Sequence, residues 1–207
     1  MPRPFNKLFT PSNSSTNYFA NDVTGTVLIL AQTATPDGYA HKITILNNSA
    51  TNHSGKTITI VGTGSEGVSQ TETITGPTGN ATVTSTYYYT ALTSVTFSST
   101  IAPDTVDVSY SGAFAMQAFP LNWRGGLPYI DVVVTGTFNG TVQYTEDLVN
   151  QGATPPFNWL TNTGSPLTNF TASSSDSYAA VPIAVRLISN SYSNGATALF
   201  QISQKDI

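Results

Sequence analysis

The sequence has no cysteine and very little charge. Only 9% of its 207 residues are Asp, Glu, Lys or Arg, against about 25% in an ordinary soluble domain. The lack of cysteine excludes disulfides, thiolate metal sites and cysteine nucleophiles, and it fits a reducing cytoplasm. Seven basic and eleven acidic residues give a net charge of −4. No segment concentrates the basic residues, so nucleic acid is not expected as a partner.

Long apolar runs are missing as well. The longest aliphatic run, Val27 to Ala31, is too short to span a bilayer, and the first 20 residues lack the apolar core of a signal peptide. We therefore expect no membrane segment and no membrane partner. Thr, Ser, Asn and Gly replace the charged residues. Because neutral polar groups lose water more cheaply than charges, this composition favours a surface that contacts neighbouring molecules. A weakly charged adhesin or a protein in a sheltered compartment would have a similar composition.

Alternation of apolar and polar residues predicts an all-β fold. Ile58 and Ile60, for example, alternate with threonines, as a sheet with one buried face requires. Turn residues separate the alternating segments. Before residue 113 the predicted strands are Thr24–Leu30, Lys42–Leu46, Lys56–Val61, Ser69–Thr75, Asn80–Thr86, Ser94–Ser98 and Thr105–Ser109.

Two Asn-Gly pairs predict β-hairpins in the C-terminal half, because this dipeptide suits the two-residue turn that joins paired strands. Asn139-Gly140 lies between the predicted strands Ile130–Phe138 and Thr141–Glu146. Asn194-Gly195 lies between Ala184–Tyr192 and Ala196–Ser203. Residues 149–177 between the two predicted hairpins are expected to form a long loop with at most one short strand.

The order of these segments predicts two antiparallel β-sandwich or jelly-roll-like domains, although one large sandwich is an alternative. The predicted parts are an extended N-terminal arm over 1–21, an N-terminal β domain over 22–112, a junction over 113–128 and a C-terminal β domain over 129–207. The arm has too few apolar groups to fold alone, so we expect a neighbour to order it. Its apolar side chains are predicted assembly residues, and so is one arginine from an apolar strand near the C-terminus. The predicted set is Phe5, Leu8, Phe9, Tyr18, Phe19 and Arg186.

No motif predicts catalysis, a cofactor or a metal site. The match to a dinucleotide-binding fingerprint at Gly62–Gly67 is followed by another strand instead of a helix, so a hairpin loop is predicted there. His41 and His53 are the only histidines. Both are expected at exposed positions or strand ends, without a nucleophile elbow nearby. A calcium site at Asp104 is an open alternative to a simple turn residue, although no further ligands are evident.

Aromatic residues could serve either packing or sugar stacking. In a strand Tyr88 faces away from Tyr87 and Tyr89, so one side of this triplet is expected in a core or an interface. For Trp123 and Trp159 we favour packing, at the junction and under the long loop, over a sugar platform. For Arg186 we favour a partly buried or interfacial position with a carboxylate or carbonyl partner over a catalytic role.

Two parts of the chain resemble β modules of tailed-phage virion proteins. One is Lys56–Thr100, KTITIVGTGSEGVSQTETITGPTGNATVTSTYYYTALTSVTFSST. The other comprises VVVTGTFNGTVQYTEDLVN, FNWLTN and YAAVPIAVRLISNSYSNGATALFQIS. The resemblance implies a structural protein of the virion, assembled in the host cytoplasm and without catalytic residues.

Within the virion, a capsid decoration or cement protein that spans capsomers is the first expectation. Its partners would be further copies of the chain, as a homotrimer or another homo-oligomer, and the major capsid protein or another virion protein. The alternative is a tail, head-fibre or baseplate component with one anchoring domain and one domain that binds a host glycan. A secreted β-sandwich glycan hydrolase is disfavoured by the missing signal peptide and the poor placement of carboxylates.

Overall fold

The computed structural model describes residues 5–122, 124–147 and 157–204. No residue in these ranges lies in a helix, which confirms the all-β prediction. The described part of the chain accordingly has no helix long and apolar enough to cross a membrane. Its strands are β1 (Phe5–Phe9), β2 (Ala20–Val23), β3 (Ala40–Asn47), β4 (Thr57–Gly64), β5 (Ser69–Thr75), β6 (Thr82–Phe97), β7 (Val106–Ala115), β8 (Phe119–Pro120), β9 (Tyr129–Thr135), β10 (Phe138–Thr145), β11 (Leu160–Thr161), β12 (Ser174–Ser177), β13 (Ala184–Tyr192) and β14 (Thr197–Ser203).

The strands form two antiparallel sheets, and the chain divides into two compact units. The central unit comprises residues 13–112, and the terminal unit comprises residues 1–12 together with 113–207. Strand β7 begins in the central unit, and its last three residues belong to the terminal unit. The boundary at residue 112 falls where the alternating pattern of the sequence lapses.

The central unit contains a sheet with the strand order β7-β3-β6-β4-β5, with β2 paired to β7. The alternation of β4 gives the burial that the sequence predicts, because Ile58 and Ile60 are fully buried while the neighbouring threonines face outward. The inward side chains of the sheet pack with those of the loops into one core, which includes Phe19, Ile43, Ile45, Ile58, Ile60, Tyr89, Val95, Phe97, Val106 and Val108.

The terminal unit contains the four-stranded sheet β1-β14-β9-β12. It also contains strands of the other sheet, in the order β11-β10-β13, and β13 pairs in turn with β8 and with the end of β7. A two-stranded ribbon runs through both sheets. Its first stretch pairs β9 with β14, from Tyr129↔Ser203 to Thr135↔Thr197. Its second stretch pairs β10 with β13, from Phe138↔Tyr192 to Thr145↔Ala184. The bend lies at two glycines with positive φ, Gly136 and Gly195.

Both predicted hairpins are wrong, although one turn was located correctly. Asn194-Gly195 does connect β13 to β14, but these strands pair with β10 and β9 respectively and not with each other. Asn139-Gly140 lies inside β10, at a shift in its register with β13, and the chain turns at Gly136 instead. A turn dipeptide reports local backbone geometry, whereas the pairing partner depends on the opposite stretch of the ribbon.

Three other predicted strands differ from the structure. Residues 24–30 form a single β-bridge, at Val27, in place of a strand. This segment lies beside β6, where the Leu28 amide donates to the Val95 carbonyl at 3.0 Å. The predicted strands Asn80–Thr86 and Ser94–Ser98 are the two ends of the one long strand β6. The predicted loop over 149–177 contains two short strands, β11 and β12, instead of at most one. Part of that loop, and Trp123, lie outside the described residues.

The N-terminal segment also differs from the predicted free arm. Over its full length β1 pairs antiparallel with β14 of the same chain, from Phe5↔Ile202 to Phe9↔Ala198. Phe9 is only 1% exposed and packs on Phe114, with 6.1 Å between the ring centroids. The described part of residues 1–21 therefore supplies side chains to both cores, because Phe19 is fully buried in the central unit.

Candidate functional site

His41 lies at the start of β3, one of the two positions that the sequence predicted, but it is buried and bonded on both ring nitrogens instead of exposed. Its Nδ1 lies 3.0 Å from the Ser111 carbonyl, and its Nε2 lies 3.0 and 3.1 Å from the two oxygens of Asp37. Asp37 comes from the predicted turn Pro36-Asp37-Gly38, four residues earlier. Both nitrogens therefore face acceptors, and the ring is fully buried. This geometry ties a turn to the strands and leaves no ring nitrogen for a substrate.

His53 is buried as well, at 2% exposure. Its Nε2 lies 3.3 Å from the Asp104 carboxylate, and neither ring nitrogen makes a hydrogen bond within the described residues. Its ring lies edge-on to Phe97, with 6.3 Å between centroids. Asp104 therefore faces an imidazole. No group of three or more His, Asp or Glu side chains that could hold a metal ion occurs in the described part of the chain.

Glu72 is a buried acid whose role the sequence did not reveal. Its strand, β5, lies beside β4, but its carboxylate reaches β6 and accepts hydrogen bonds from the amides of Thr86 at 2.6 Å and Tyr87 at 3.2 Å. Gln70, two residues earlier, donates to the Tyr88 carbonyl at 2.7 Å. Thr86 and Tyr87 have no partner residue on β3 or β4, and Tyr88, which pairs with a residue of β3, lies beyond the end of the pairing between β6 and β4. The only sequence signal is that Gln70 and Glu72 alternate with the exposed threonines of β5.

The buried carboxylate also influences a neighbouring tyrosine. Burial, together with the Glu72 charge, raises the pKa of Tyr89 well above its ordinary value. The Tyr89 hydroxyl lies 3.5 Å from a Glu72 oxygen, and its ring is fully buried. Tyr87 and Tyr88 are half-buried, and Lys42 lies 5.4 Å from the centroid of the Tyr88 ring. The tyrosine triplet therefore packs within the central unit, with Tyr89 in the core.

Arg186 is 8% exposed and joins neighbouring strands of the terminal unit. Its Nε donates to the side-chain oxygen of Gln143, its cross-strand partner, at 3.0 Å. Its guanidinium carbon lies 4.1 Å from the centroid of the half-buried Trp159 ring. The predicted burial of Arg186 agrees with the structure, and an amide oxygen and an aromatic face are among its partners. This arrangement is a packing contact of the kind arginine makes with aromatic rings.

The predicted assembly residues do not form one patch. Phe9 and Phe19 are buried in the two cores, and Tyr18 packs against Phe19 and Tyr110 with ring centroids 5.2 and 5.3 Å apart. Phe5 packs against Phe119, at 4.1 Å between centroids. Leu8 is the exposed member, at 56%. It lies on the outward face of the four-stranded sheet, in register with Leu199 and Val133, so that an apolar row crosses three strands.

A shallow groove in the central unit has the size to hold a small polar ligand. Its volume is about 340 Å³, and most of the side chains around it bear hydroxyl groups. None of them is charged. The lining residues are Ser14, Ser15, Thr16, Thr44, Leu46, Thr82, Tyr110, Ser111 and Gly112. A neutral ligand with many hydroxyl groups is the chemistry that such a lining would bind.

Comparisons with protein-family models, with curated proteins and with solved structures found no match.

Proposed function

We propose that the chain is a non-enzymatic structural protein of a tailed-phage virion, and first of all a capsid decoration or cement protein. It would bind the major capsid protein or another virion protein, together with further copies of itself. The observation that carries this proposal is how the few ionisable side chains of the central unit are used. Asp37 and His41 bond a turn to the strands, and Glu72 bonds the amides of β6. The ionisable side chains thus bond to the backbone, while the outer face of the β4–β5 hairpin carries mostly threonine and serine.

We also propose that the two units are sandwich-like, with a jelly-roll-like course in the terminal unit. The support is the ribbon of β9–β10 with β13–β14, which pairs in one sheet, bends at Gly136 and Gly195, and continues in the other. A ribbon that folds over in this way gives a jelly roll its two-sheet core. Such a unit presents broad, rigid faces, as a protein that spans its neighbours needs.

The apolar row on the four-stranded sheet is the proposed contact with the capsid. Leu8, Leu199 and Val133 lie side by side on strands β1, β14 and β9, and polar residues flank them, among them Gln201 and Asp131. Exposed apolar side chains that adjoin in this way are typical of protein interaction sites. Through Leu8 the N-terminal segment has an assembly role in this proposal, even though the aromatic residues of the segment pack against other residues of the same chain.

The test is co-sedimentation of purified protein with phage heads that lack it. The variant Leu8→Ser should weaken binding, because it replaces the most exposed apolar side chain of the row with a polar one. Leu127→Ser is the matched control, since Leu127 is 57% exposed, as against 56% for Leu8, and lies outside the sheet. Equal binding by the two variants would reject the row as the contact. Absence of wild-type binding to heads would reject the cement role.

A second candidate is a tail, head-fibre or baseplate component that binds a host glycan. The hydroxyl-lined groove of the central unit favours it, because its lining is uncharged and rich in donors and acceptors. The double variant Thr44→Val and Thr82→Val removes two of these hydroxyls with little change in shape. A glycan array probed with both proteins should show binding by the wild type alone. An array without any bound glycan would reject this candidate.

A further inference from the structure

Strand β5 ends its sheet and leaves one backbone edge open. The β4–β5 hairpin is closed at one end by a hydrogen bond from the Gly64 amide to the Val68 carbonyl at 2.9 Å. At the other end the Gly76 amide donates to the Lys56 carbonyl at 2.8 Å. In an antiparallel ladder hydrogen-bonded pairs alternate with non-hydrogen-bonded pairs. Counted from both ends, the residues of β5 whose backbone amides and carbonyls bond to β4 are therefore Gln70, Glu72 and Ile74.

The other four residues of β5 direct their amides and carbonyls away from β4. They are Ser69, Thr71, Thr73 and Thr75, and all four are exposed. No described strand pairs with this edge, because β5 is the last strand in the order of its sheet. The edge thus offers a donor and an acceptor at every second residue over a stretch of seven residues.

This edge lacks most of the features that protect an open strand. Natural edges carry outward lysine or proline, are short or bulged, or carry an inward-pointing charge. The register of β5 with β4 is continuous, and its exposed side chains are all serine or threonine. An inward-pointing charge is present, Glu72, but its carboxylate already accepts hydrogen bonds from amides of β6 in the same chain. By contrast β1, the edge of the four-stranded sheet, is five residues long and carries the exposed Lys7.

The outward face beside the edge is uncharged as well. We call it the threonine face, and define it by the outward side chains of β4 and β5 and by Ser94 and Thr96, the β6 residues in register with Val61 and Thr59. Within it, Thr73, Thr59 and Thr96 form one cross-strand row, and Thr71, Val61 and Ser94 form the next. The complete set is Thr57, Thr59, Val61, Thr63, Ser69, Thr71, Thr73, Thr75, Ser94 and Thr96.

We propose that the β5 edge pairs antiparallel with the β5 edge of a second copy of the chain, about a two-fold axis. Each residue whose backbone faces the open edge has both a donor and an acceptor, so a copy of the same strand in the opposite direction can pair with it. The chain carries a net charge of −4, which makes copies repel. An edge and a face without charge are where two copies can approach at the least electrostatic cost.

The buried side chains of β5 decide between two registers of the pairing between copies. A pairing centred on Glu72 would place the Glu72 carboxylates of the two copies opposite each other, and like charges on cross-strand neighbours are unfavourable. Centred on Thr71, the pairing places Gln70 of each copy opposite Glu72 of the other and pairs Ser69 with Thr73. This register joins the two threonine faces into one continuous, charge-free surface. It also leaves Glu72 bonded to β6 as in the single chain.

The inference goes beyond the proposed function by naming the surface and the symmetry of self-association. Its test needs no phage particle, so the two can fail separately. Sedimentation equilibrium should show a dimer for the wild type. Thr73→Pro removes one outward amide and should raise the dissociation constant by at least about tenfold. Thr59→Lys is the control, because it places a charge on the threonine face one strand inside the edge and should still dimerise.

Hydrogen exchange gives a second readout that does not depend on a variant. The amides of Ser69, Thr71 and Thr73 should become protected as the protein concentration rises, while those of Gln70, Glu72 and Ile74 should be protected at every concentration. A wild type that stays monomeric at its highest soluble concentration, or that forms only trimers, would overturn the proposal. So would a loss of association in Thr59→Lys with none in Thr73→Pro, since that pattern indicates stacking of faces instead of pairing of edges.

Discussion

The central and terminal units stabilise their sheets by different means. In the central unit acids, amides and imidazoles lie inside and bond to the backbone, as Glu72, Gln70 and His41 do. In the terminal unit the interior is filled by aromatic rings that contact one another in sequence, from Phe9 to Phe114 and on to Phe138 and Phe170. The one charged side chain in its described interior is Arg186.

The difference follows from the regularity of the strands. Strand β6 changes partners along its 16 residues, and its registers with β3 and β4 are shifted at several points. At such points the ladder leaves amides and carbonyls unpaired, and side chains must replace the missing strand. In the terminal unit β14 pairs with β1 and β9 without a shift, and apolar packing suffices in that sheet. The β10–β13 pairing is shifted at Asn139/Gly140, and there the side chain of Asn190 bonds those of Asn139 and Asn169. A chain with little charge thus places several of its few acids where the backbone lacks a partner.

The largest expected effect is a difference in unfolding free energy between substitutions at two neighbouring residues of β1. Phe9→Ala should lower the free energy of unfolding by about 3–5 kcal/mol, because it removes a buried ring from the aromatic core and leaves a cavity. Leu8→Ala should change it by less than about 0.5 kcal/mol, since Leu8 is exposed. Urea unfolding followed by circular dichroism measures both. Equal effects would show that β1 does not pack as described.

The next effect tests the hydrogen-bonded interior of the central unit. Glu72→Ala should cost about 1–3 kcal/mol, because it leaves the part-buried amides of Thr86 and Tyr87 without their charged acceptor. Glu146→Ala, at an exposed position of the terminal unit, is the matched control and should cost less than about 0.5 kcal/mol. If the two variants unfold at the same urea concentration, the central unit does not depend on its buried acid.

Both units should lose folding stability at high pH, because each contains a tyrosine with a raised pKa. Burial raises the pKa of Tyr89 in the central unit and of Tyr178 in the terminal unit. A raised folded-state pKa means that the stabilisation is complete below the unfolded value of about 10 and is lost as the pH rises above it. Each tyrosine should contribute a fall of at most about 1.4 kcal/mol per pH unit in unfolding free energy. Tyr89→Phe and Tyr178→Phe should each reduce that slope, and an unchanged slope would contradict the assignment.

The smallest effect concerns the bend of the terminal ribbon. Gly136 and Gly195 both have positive φ, 77° and 78°, which a residue with a Cβ adopts at a cost of about 1 kcal/mol. A Cβ at Gly136 would also lie 3.2 Å from atoms of Ala196, whereas nothing lies within 4 Å of one at Gly195. Gly136→Ala should therefore lower the melting temperature more than Gly195→Ala. The reverse order would show that the bend is not crowded as described.

The sequence predicted the parts of the fold that depend on neighbours in the chain. The alternation of β3, β4 and β5 gave their positions to within a few residues, because one buried face imposes a period of two. The apolar run in segment 24–30 misled, because the segment makes only one β-bridge, at Val27, and leaves Val27 and Ile29 exposed beside β6. The Asn-Gly pairs misled in the same way, because the strands around them pair with distant segments.

The features of the candidate sites were harder to predict than the strands. Nothing near His41 in the sequence indicates burial, since its partners are a turn residue and a carbonyl 70 residues away. Glu72 reads as one polar residue among threonines until the gap in the pairing of β6 is known. The burial of Arg186 was predictable from its apolar strand, but its contact with Trp159 was not. Roles that arise from irregular long-range pairing leave no local pattern.

The most direct test of the proposed role is a count of copies in purified virions. Quantitative mass spectrometry would give the ratio of this chain to the major capsid protein. A capsid decoration or cement protein predicts a fixed ratio, close to a simple fraction set by the number of capsomers. A few copies per particle would favour the tail or fibre candidate instead, and a chain absent from the particles would contradict a structural role in the virion.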